Sequence, residues 1–140
     1  MNSLALIDTG VVTAYYSKRP TAQVIELMER VKEGKTCGQL LRPIMVEVYS
    51  HLCKLPGGMQ FAESTLASFM AEFSLEIVPL DASITYKAGK LKCQHRTSLS
   101  MVDCLAIAYC LNRNVTFHTT EKGLKKLIPR LKIATYSFTR

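Results

Sequence analysis

The sequence lacks the features that mark membrane-spanning or exported proteins. No apolar run approaches the ~18 residues that a membrane-spanning helix needs. The first apolar run, Leu4 to Ile7, meets Asp8 at once, and it is too short and too poor in basic residues to be a signal peptide. The sequence therefore predicts a cytoplasmic protein that does not associate with membranes.

Paired cysteines are also missing. The five cysteines are odd in number and contain no Cys-x-x-Cys pair. His51-x-Cys53 and Cys93-x-His95 hold metal-binding residue types, but their spacing fits no common zinc motif. We expect five reduced thiols in a reducing compartment.

Acidic residues are scarce in the second half of the chain. Residues 1–86 hold 7 Lys/Arg and 9 Asp/Glu, whereas residues 87–140 hold 11 Lys/Arg and only 2 Asp/Glu, which are Asp103 and Glu121. A basic surface favours a polyanionic partner such as nucleic acid. The alternative is that these cations only solvate the surface.

What is present is an ordinary globular composition, with 48% apolar and 21% charged residues. A chain of 140 residues is long enough for one domain, residues 1–140, and too short for two comfortable ones. Apolar strand-like runs at 3–7, 35–41, 75–80, 115–118 and 131–138 alternate with helical patterns at 11–16, 21–34, 42–52, 61–73, 84–91, 100–111 and 122–127. This alternation predicts an α/β fold, a three-layer α/β/α sandwich around a central parallel sheet of four to five strands.

One acidic residue stands inside the most apolar helix. The pattern around Asp103 is apolar on nearly every side, as in a helix buried in a core. A buried carboxylate has to be neutralised, hydrogen-bonded or bound to a cation. Ser100-x-x-Asp103 is also the pattern of a capping box, so a purely structural role stays open.

Three further acids occupy comparable places. Asp8 and Glu121 each follow a predicted strand, and Glu47 lies early in a helix that begins at the same edge of the sheet. Each also has an ordinary interpretation, since Asp8 can cap the next helix, Glu121 can complement a helix dipole and Glu47 can border an apolar face. Open parallel sheets bind their ligands at the carboxyl ends of the strands, where all four acids converge.

Four neighbouring carboxylates need cations, because like charges raise one another's pKa. Oxygen ligands favour Mg²⁺ or Mn²⁺, and two such ions ~3.5–4 Å apart activate a water and stabilise the leaving oxygen in phosphoryl displacement. An acidic centre beside a basic half predicts a metal-dependent nuclease. The residues expected to contact the phosphates of a nucleic acid, if they do not merely solvate the surface, are Arg96, Lys122, Lys125 and Lys126.

Four segments together resemble the PIN domain family. They are Ile7-Asp8-Thr9, Met45-Val46-Glu47-Val48, Leu99-Ser100-x-x-Asp103-x-x-Ala106-x-Ala108 and Thr116-Phe117-His118-Thr119-Thr120-Glu121. The resemblance extends over essentially the whole chain and is strongest to the small VapC-type ribonuclease toxins.

This resemblance implies a single PIN-like domain and an endoribonuclease that leaves a 5′-phosphate. It implies Mg²⁺ or Mn²⁺ at Asp8, Glu47, Asp103 and Glu121, with a supporting hydroxyl from Thr119 or Ser100. In this scheme Asp8 and Asp103 hold the principal ion, Glu47 orients a ligand water, and Glu121 completes a second, weaker site. It also implies a homodimer and an antitoxin partner of VapB type.

Two departures keep alternatives open. The last acid is Glu121 where the family usually has Asp, and residues 39–43 lack a hydroxyl side chain that is common there. The alternatives are an RNA-processing PIN nuclease and a catalytically weak PIN domain that binds RNA or protein. A flavodoxin-like nucleotide-binding module is less favoured, because Asp8-Thr9-Gly10-Val11 is not a glycine-rich phosphate loop. The apolar pattern at 61–73 suggests either a self-association surface or plain core.

Overall fold

The computed structural model describes residues 3–138 and contains five strands and seven helices in that range. The strands are β1 (Ser3–Ile7), β2 (Thr36–Leu40), β3 (Glu76–Ile77), β4 (Thr116–Thr119) and β5 (Ile133–Thr135). The helices are α1 (Thr9–Tyr15), α2 (Ala22–Lys32), α3 (Arg42–Leu52), α4 (Gly58–Phe73), α5 (Ala82–Gln94), α6 (Met101–Arg113) and α7 (Leu124–Leu127).

All five strands form one parallel sheet in the order β3-β2-β1-β4-β5. The first strand lies at the centre, with Leu6 opposite Gln39 of β2 on one side and opposite Phe117 of β4 on the other. This arrangement confirms the predicted α/β fold with a parallel sheet.

The centre of the sheet is also the centre of the core. Ala5, Leu6 and Ile7 are fully buried, as expected for a strand whose two faces are both covered. Phe69 and Phe73 of α4 add the largest buried side chains, and they lie against tyrosines at the end of α1. Burial of these large apolar groups holds α1 and α4 together.

Helix α4 is longer than its predicted range. It begins at Gly58, three residues before Phe61, because Gly57 adopts a left-handed conformation with φ of 103° that caps the helix directly. The helix buries Ala62, Phe69 and Phe73, so much of its apolar face belongs to the core. The homodimer prediction is not tested by this observation.

The two edge strands are shorter than predicted. The range 75–80 contributes only two residues to the sheet, and the pairing stops soon after Val78 because Pro79 has no N–H to donate. The range 131–138 contributes only Ile133–Thr135. Apolar runs at these places reflect burial against the core, which Val78 and Leu131 both show, rather than strand pairing.

Two further properties concern cysteines and membrane spans. All five cysteines are free thiols, and Cys104 and Cys110 are buried in α6. Within residues 3–138, no helix combines the length and the hydropathy that crossing a membrane requires.

Candidate functional site

The sheet order creates a crevice at one edge. The chain leaves the central strand β1 toward β2 on one side and later adds β4 on the other side, so the connections diverge at the carboxyl ends of β1 and β4. Ligands of open α/β sheets bind at such a switch point. Asp8 follows β1 there, and Glu121 lies two residues after the end of β4.

Asp8 is fixed by hydrogen bonds to both carboxylate oxygens. It is the N-cap of α1, with Oδ1 accepting from the Thr9 N–H at 2.8 Å. Its Oδ2 accepts from the Thr119 hydroxyl at 2.6 Å, and its own N–H donates to the His118 carbonyl at 2.9 Å. The predicted helix-capping role of Asp8 is thus confirmed, and the carboxylate is 5% exposed at the crevice.

Asp103 combines a cap with a place in the same crevice. The Ser100 hydroxyl accepts from the Asp103 N–H at 3.1 Å, and the Ser100 N–H donates to Asp103 Oδ2 at 3.4 Å. This is the predicted capping box, and it begins the largely buried helix α6. Asp103 can therefore take part in the capping box while its carboxylate still lies in the crevice.

Glu121 completes a group of three carboxylates. One oxygen from each of Asp8, Asp103 and Glu121 can be chosen so that all three lie within 4.8 Å of one another. Glu121 is exposed at the rim, and its N–H donates to the Thr119 hydroxyl at 3.1 Å. Because that hydroxyl also donates to Asp8, Thr119 ties the two carboxylate-bearing segments together.

The pKa values of two of these groups are raised. Burial raises the pKa of Asp8 to about 6, with smaller contributions from the negative charges of Asp103 and Glu47 and with opposition from the hydrogen bonds of Thr119 and Thr9. Burial raises the pKa of Glu121 to about 7, and the charge of Asp103 and a hydrogen bond with it act in the same direction. Without positive charge nearby, the crevice therefore does not fully stabilise the ionised forms of Asp8 and Glu121.

This donor set fits a divalent cation that prefers oxygen. The group contains carboxylate oxygens only, at mutual distances that a single small ion can satisfy, and its mutual repulsion is relieved by positive charge. Mg²⁺ and Mn²⁺ meet these requirements, and the cluster is consistent with the divalent metal site that is typical of PIN domains.

Glu47 lies in the same cleft but outside the group of three. Its Oε1 accepts from the Thr9 hydroxyl at 2.6 Å, which connects α3 to the start of α1. Glu47, Asp8, Asp103 and Glu121 all line a cleft of about 210 Å³. The sequence-based scheme set Glu121 apart as a second site, whereas the geometry joins Glu121 to Asp8 and Asp103 and leaves Glu47 beside them.

The structure adds residues that sequence reasoning missed. Thr9 orients Glu47, and His51 and Phe138 line the cleft. A Cβ at Gly10 would lie 1.9 Å from the Thr120 hydroxyl oxygen. Glycine at this position therefore lets the backbone of α1 pass close to Thr120. The small residues directly after Asp8 were a signal for this approach, but the contributions of His51 and Phe138 depend on tertiary structure.

The predicted phosphate contacts differ in their surroundings. Arg96, Lys122 and Lys126 are exposed, and Lys122 directly follows Glu121. Lys125 instead donates from Nζ to the Leu131 carbonyl at 2.6 Å, which attaches α7 to the chain before β5. Contact of these four residues with RNA stays a prediction.

Several solved structures have the same fold. One is a chain of VapBC2 from Rickettsia felis, whose structure was solved bound to a DNA fragment from the VapBC2 promoter. It is 18% identical to this chain, with a TM-score of 0.76 over 96% of this chain and 99% of that chain. DNA-bound VapBC from Salmonella typhimurium is 14% identical, with a TM-score of 0.72 over 96% and 98%. The Mycobacterium tuberculosis toxin VapC20 is 14% identical, with a TM-score of 0.60 over 81% and 86%.

Sequence comparison gives the family. Among curated proteins, none matches this chain. The sequence model described as PIN domain matches residues 5–128. This range includes all four candidate acids, most of β1 and the whole of β2, β3 and β4. The chain therefore belongs to the PIN domain family.

Proposed function

We propose that this protein is a metal-dependent endoribonuclease. The observation that carries the proposal is the group of three carboxylates from Asp8, Asp103 and Glu121 at the sheet's switch point. Membership in the PIN family supports it, as does similarity to VapC20, which is described as a toxin that cleaves the sarcin-ricin loop. The substrate is RNA, and the product carries a 5′-phosphate.

The proposed chemistry divides between an ion and the chain. A bound Mg²⁺ or Mn²⁺ supplies Lewis acidity and lowers the pKa of water. The chain supplies fixed negative charge through Asp8, whose two oxygens are both hydrogen-bonded, and through Asp103, which is anchored at a helix N-terminus. Glu121 adds a third carboxylate from the rim, where substrate enters.

Glu47 is proposed as a positioning residue in this reaction. The Thr9 hydroxyl holds one of its oxygens, so its negative charge stays in the cleft and contributes to the raised pKa of Asp8. A carboxylate at that place can hold a ligand water of the ion. Thr119 and Ser100 orient Asp8 and Asp103 respectively.

The proposal extends to partners. Structures of VapBC from Rickettsia felis and Salmonella typhimurium and a toxin–antitoxin complex from Klebsiella pneumoniae have the same fold as this chain. We propose an antitoxin of VapB type as the partner, with this chain as a homodimeric toxin. Exposed cations such as Lys122, which directly follows Glu121, and Lys126 of α7 attract the RNA backbone.

The test is cleavage of a long mixed-sequence RNA with Mg²⁺, with Mn²⁺ and with chelator. Asp103→Asn keeps an oxygen that can accept from the Ser100 N–H, so it preserves the capping box while removing a metal-binding charge. Asp81→Asn is the matched control, because Asp81 is also an N-cap, accepting from the Ile84 N–H at 2.9 Å, and is exposed outside the cleft.

Cleavage that requires metal, disappears in Asp103→Asn and persists in Asp81→Asn supports the nuclease. Absence of cleavage together with absence of saturable Mn²⁺ binding overturns it in favour of a binding module. Toxicity on expression that a co-expressed neighbouring protein relieves separates a toxin from an RNA-processing nuclease.

A further inference from the structure

A second depression lies next to the catalytic cleft. It is a groove of about 640 Å³, larger than the cleft, between the segment that leads into α2 and the chain that follows β5. Arg19, Thr21 and Gln23 line one side, and residues 135–138 line the other. Phe138 lines both this groove and the cleft, so the two depressions adjoin at this residue. We call this depression the Phe138 groove.

We propose that the Phe138 groove holds the RNA strand on one side of the scissile phosphate, with one base stacked on the Phe138 ring. This inference rests on the proposed function, because it names how the same site takes hold of its substrate. Stacking on an aromatic ring suits any base, since every base has a π-face.

Phe138 is presented on a well-anchored segment. Two residues before it, the Tyr136 N–H donates to the Thr119 carbonyl at 2.9 Å. The Tyr136 hydroxyl lies 2.8 Å from His118 Nδ1, and the two rings stack with centroids 5.7 Å apart. The backbone that carries Phe138 is therefore attached to Thr119, which also binds Asp8. The Phe138 side chain itself is 53% exposed.

The charges on the two sides of Phe138 differ in sign. Four carboxylates line the cleft, whereas the side chains that line the groove within residues 3–138 include Arg19 and no acid. An RNA strand that follows the groove runs away from the carboxylates of the cleft, so its binding there does not require a cation. The groove volume also falls in the range of ordinary ligand sites.

A protein segment is the competing occupant, since β5 is an edge of the sheet. Strand addition relies on a row of backbone hydrogen bonds. Here β5 offers only Ile133–Thr135, and Tyr136 turns its N–H inward to β4. The exposed Phe138 ring and its place between the groove and the cleft therefore favour RNA.

The chain contains no tryptophan, which makes a direct test possible. Phe138→Trp introduces a single tryptophan at the groove, which is excited selectively over the tyrosines, and Tyr86→Trp places one at an exposed position of α5 as the matched control. Each variant is titrated in chelator with a short single-stranded oligoribonucleotide carrying a dye, whose anisotropy reports binding. We expect tryptophan quenching in Phe138→Trp that saturates together with the anisotropy, and little quenching in Tyr86→Trp.

A second comparison separates stacking from general contact. Phe138→Leu is expected to weaken oligonucleotide binding about tenfold, the effect of losing one stacked base, and Phe138→Tyr to restore it. Equal quenching in both tryptophan variants, unchanged binding by Phe138→Leu or no binding of the oligonucleotide would each overturn the proposal. Saturating anisotropy without tryptophan quenching would mean that the oligonucleotide binds elsewhere, and a protein segment would become the candidate occupant of the groove.

Binding in chelator does not depend on cleavage, so the two proposals fail separately. Quenching without metal-dependent cleavage by the unmodified protein would support RNA binding in the Phe138 groove and contradict the proposed nuclease activity. Metal-dependent cleavage without quenching would support the nuclease activity and contradict the stacking role of Phe138.

Discussion

At the scale of single residues, the site depends on a threonine as much as on its acids. Thr119 is fully buried, and its hydroxyl donates to Asp8 while accepting from the Glu121 N–H. One hydroxyl thus sets the distance between two carboxylates that come from different strands. The acids supply the charge of the site, and Thr119 supplies part of its rigidity.

Replacing Thr119 by Val keeps the shape of the side chain and removes the hydroxyl. We expect the free energy of unfolding to fall by about 1–3 kcal/mol, because a buried acceptor and a backbone donor lose their partner. The hydrogen bond from Thr119 lowers the pKa of Asp8, so its loss raises that pKa and weakens Mn²⁺ binding more at pH 6 than at pH 8. Calorimetric Mn²⁺ titrations measure this difference. Thr119→Ser retains the hydroxyl and should behave nearly as the unmodified protein does; similar losses in both variants would contradict the argument.

The raised pKa values also predict how metal and pH act together. In the metal-free protein, Asp8 and Glu121 bind protons that the unfolded chain has already released, so their contribution to stability declines as pH rises through about 6 and about 7. A divalent ion binds the ionised forms. The increase in Tm that Mg²⁺ or Mn²⁺ causes should therefore grow between about pH 5.5 and about pH 8.

Thermal unfolding with metal and with chelator measures this increase at each pH. His118, whose pKa burial lowers to about 4, acts in the opposite direction, but it acts equally with and without metal and cancels in the difference. An increase in Tm that is independent of pH, or that survives in Asp103→Asn, would show that the ion binds elsewhere.

At the scale of elements, the site depends on how closely α1 approaches the loop after β4. Gly10 is the second residue of α1, and its Cα faces the Thr120 side chain directly before Glu121. A Cβ at this position would overlap the Thr120 hydroxyl, so the Thr120 side chain or the backbone that carries it has to shift. The distance between Asp8 and Glu121 is therefore sensitive to a residue that carries no chemistry of its own.

Gly10→Ala should lower Mn²⁺ affinity and cleavage, because its Cβ would overlap the Thr120 hydroxyl and displace Glu121. Gly89→Ala is the matched control, since Gly89 is also helical and a Cβ there meets open space. That control should keep full activity and gain about 0.5–1 kcal/mol in unfolding free energy. Mn²⁺ titration and thermal unfolding of both variants test the pair, and unchanged Mn²⁺ affinity in Gly10→Ala would refute the argument.

The sequence predicted elements where a local signal existed. The Asp8 cap, the Ser100 capping box and the apolar run of β1 each specify their element within a few residues, and all three are confirmed. The lengths of β3 and β5 were wrong, because apolar runs report burial and not pairing. Convergence of the acids at one edge followed from strand order, but the link from Thr9 to Glu47 joins residues 38 apart and needs the tertiary fold.

At the scale of the whole molecule, charge is divided along the chain. Only Asp103 and Glu121 are acidic within residues 87–140, and both of them point to the cleft rather than to the basic surface. In the proposed function, the basic second half of the chain attracts RNA while the cleft concentrates cations. That residues 1–140 form one domain stays a prediction, which a single cooperative unfolding transition tests.

RNA binding should depend on salt through individual lysines. Lys122→Gln and Lys126→Gln are each expected to reduce the slope of log affinity against log salt by about 0.7, the value for one phosphate contact on a single strand. Lys125→Gln should lower Tm as well, because Lys125 donates to the Leu131 carbonyl. Filter binding over a series of salt concentrations measures the slopes. Slopes that do not change in either of the first two variants would assign the contacts to other cations.

The central position of β1 has a consequence for how the protein is made. β1 leaves the ribosome well before its partner β4, and the Thr119 hydroxyl that binds Asp8 lies 111 residues later in the chain. Until then one edge of β1 stays unpaired and the cleft has no third carboxylate. Fragments from interrupted translation that end before Glu121 lack one of the three carboxylates, so we expect them to bind Mn²⁺ more weakly than the whole chain does.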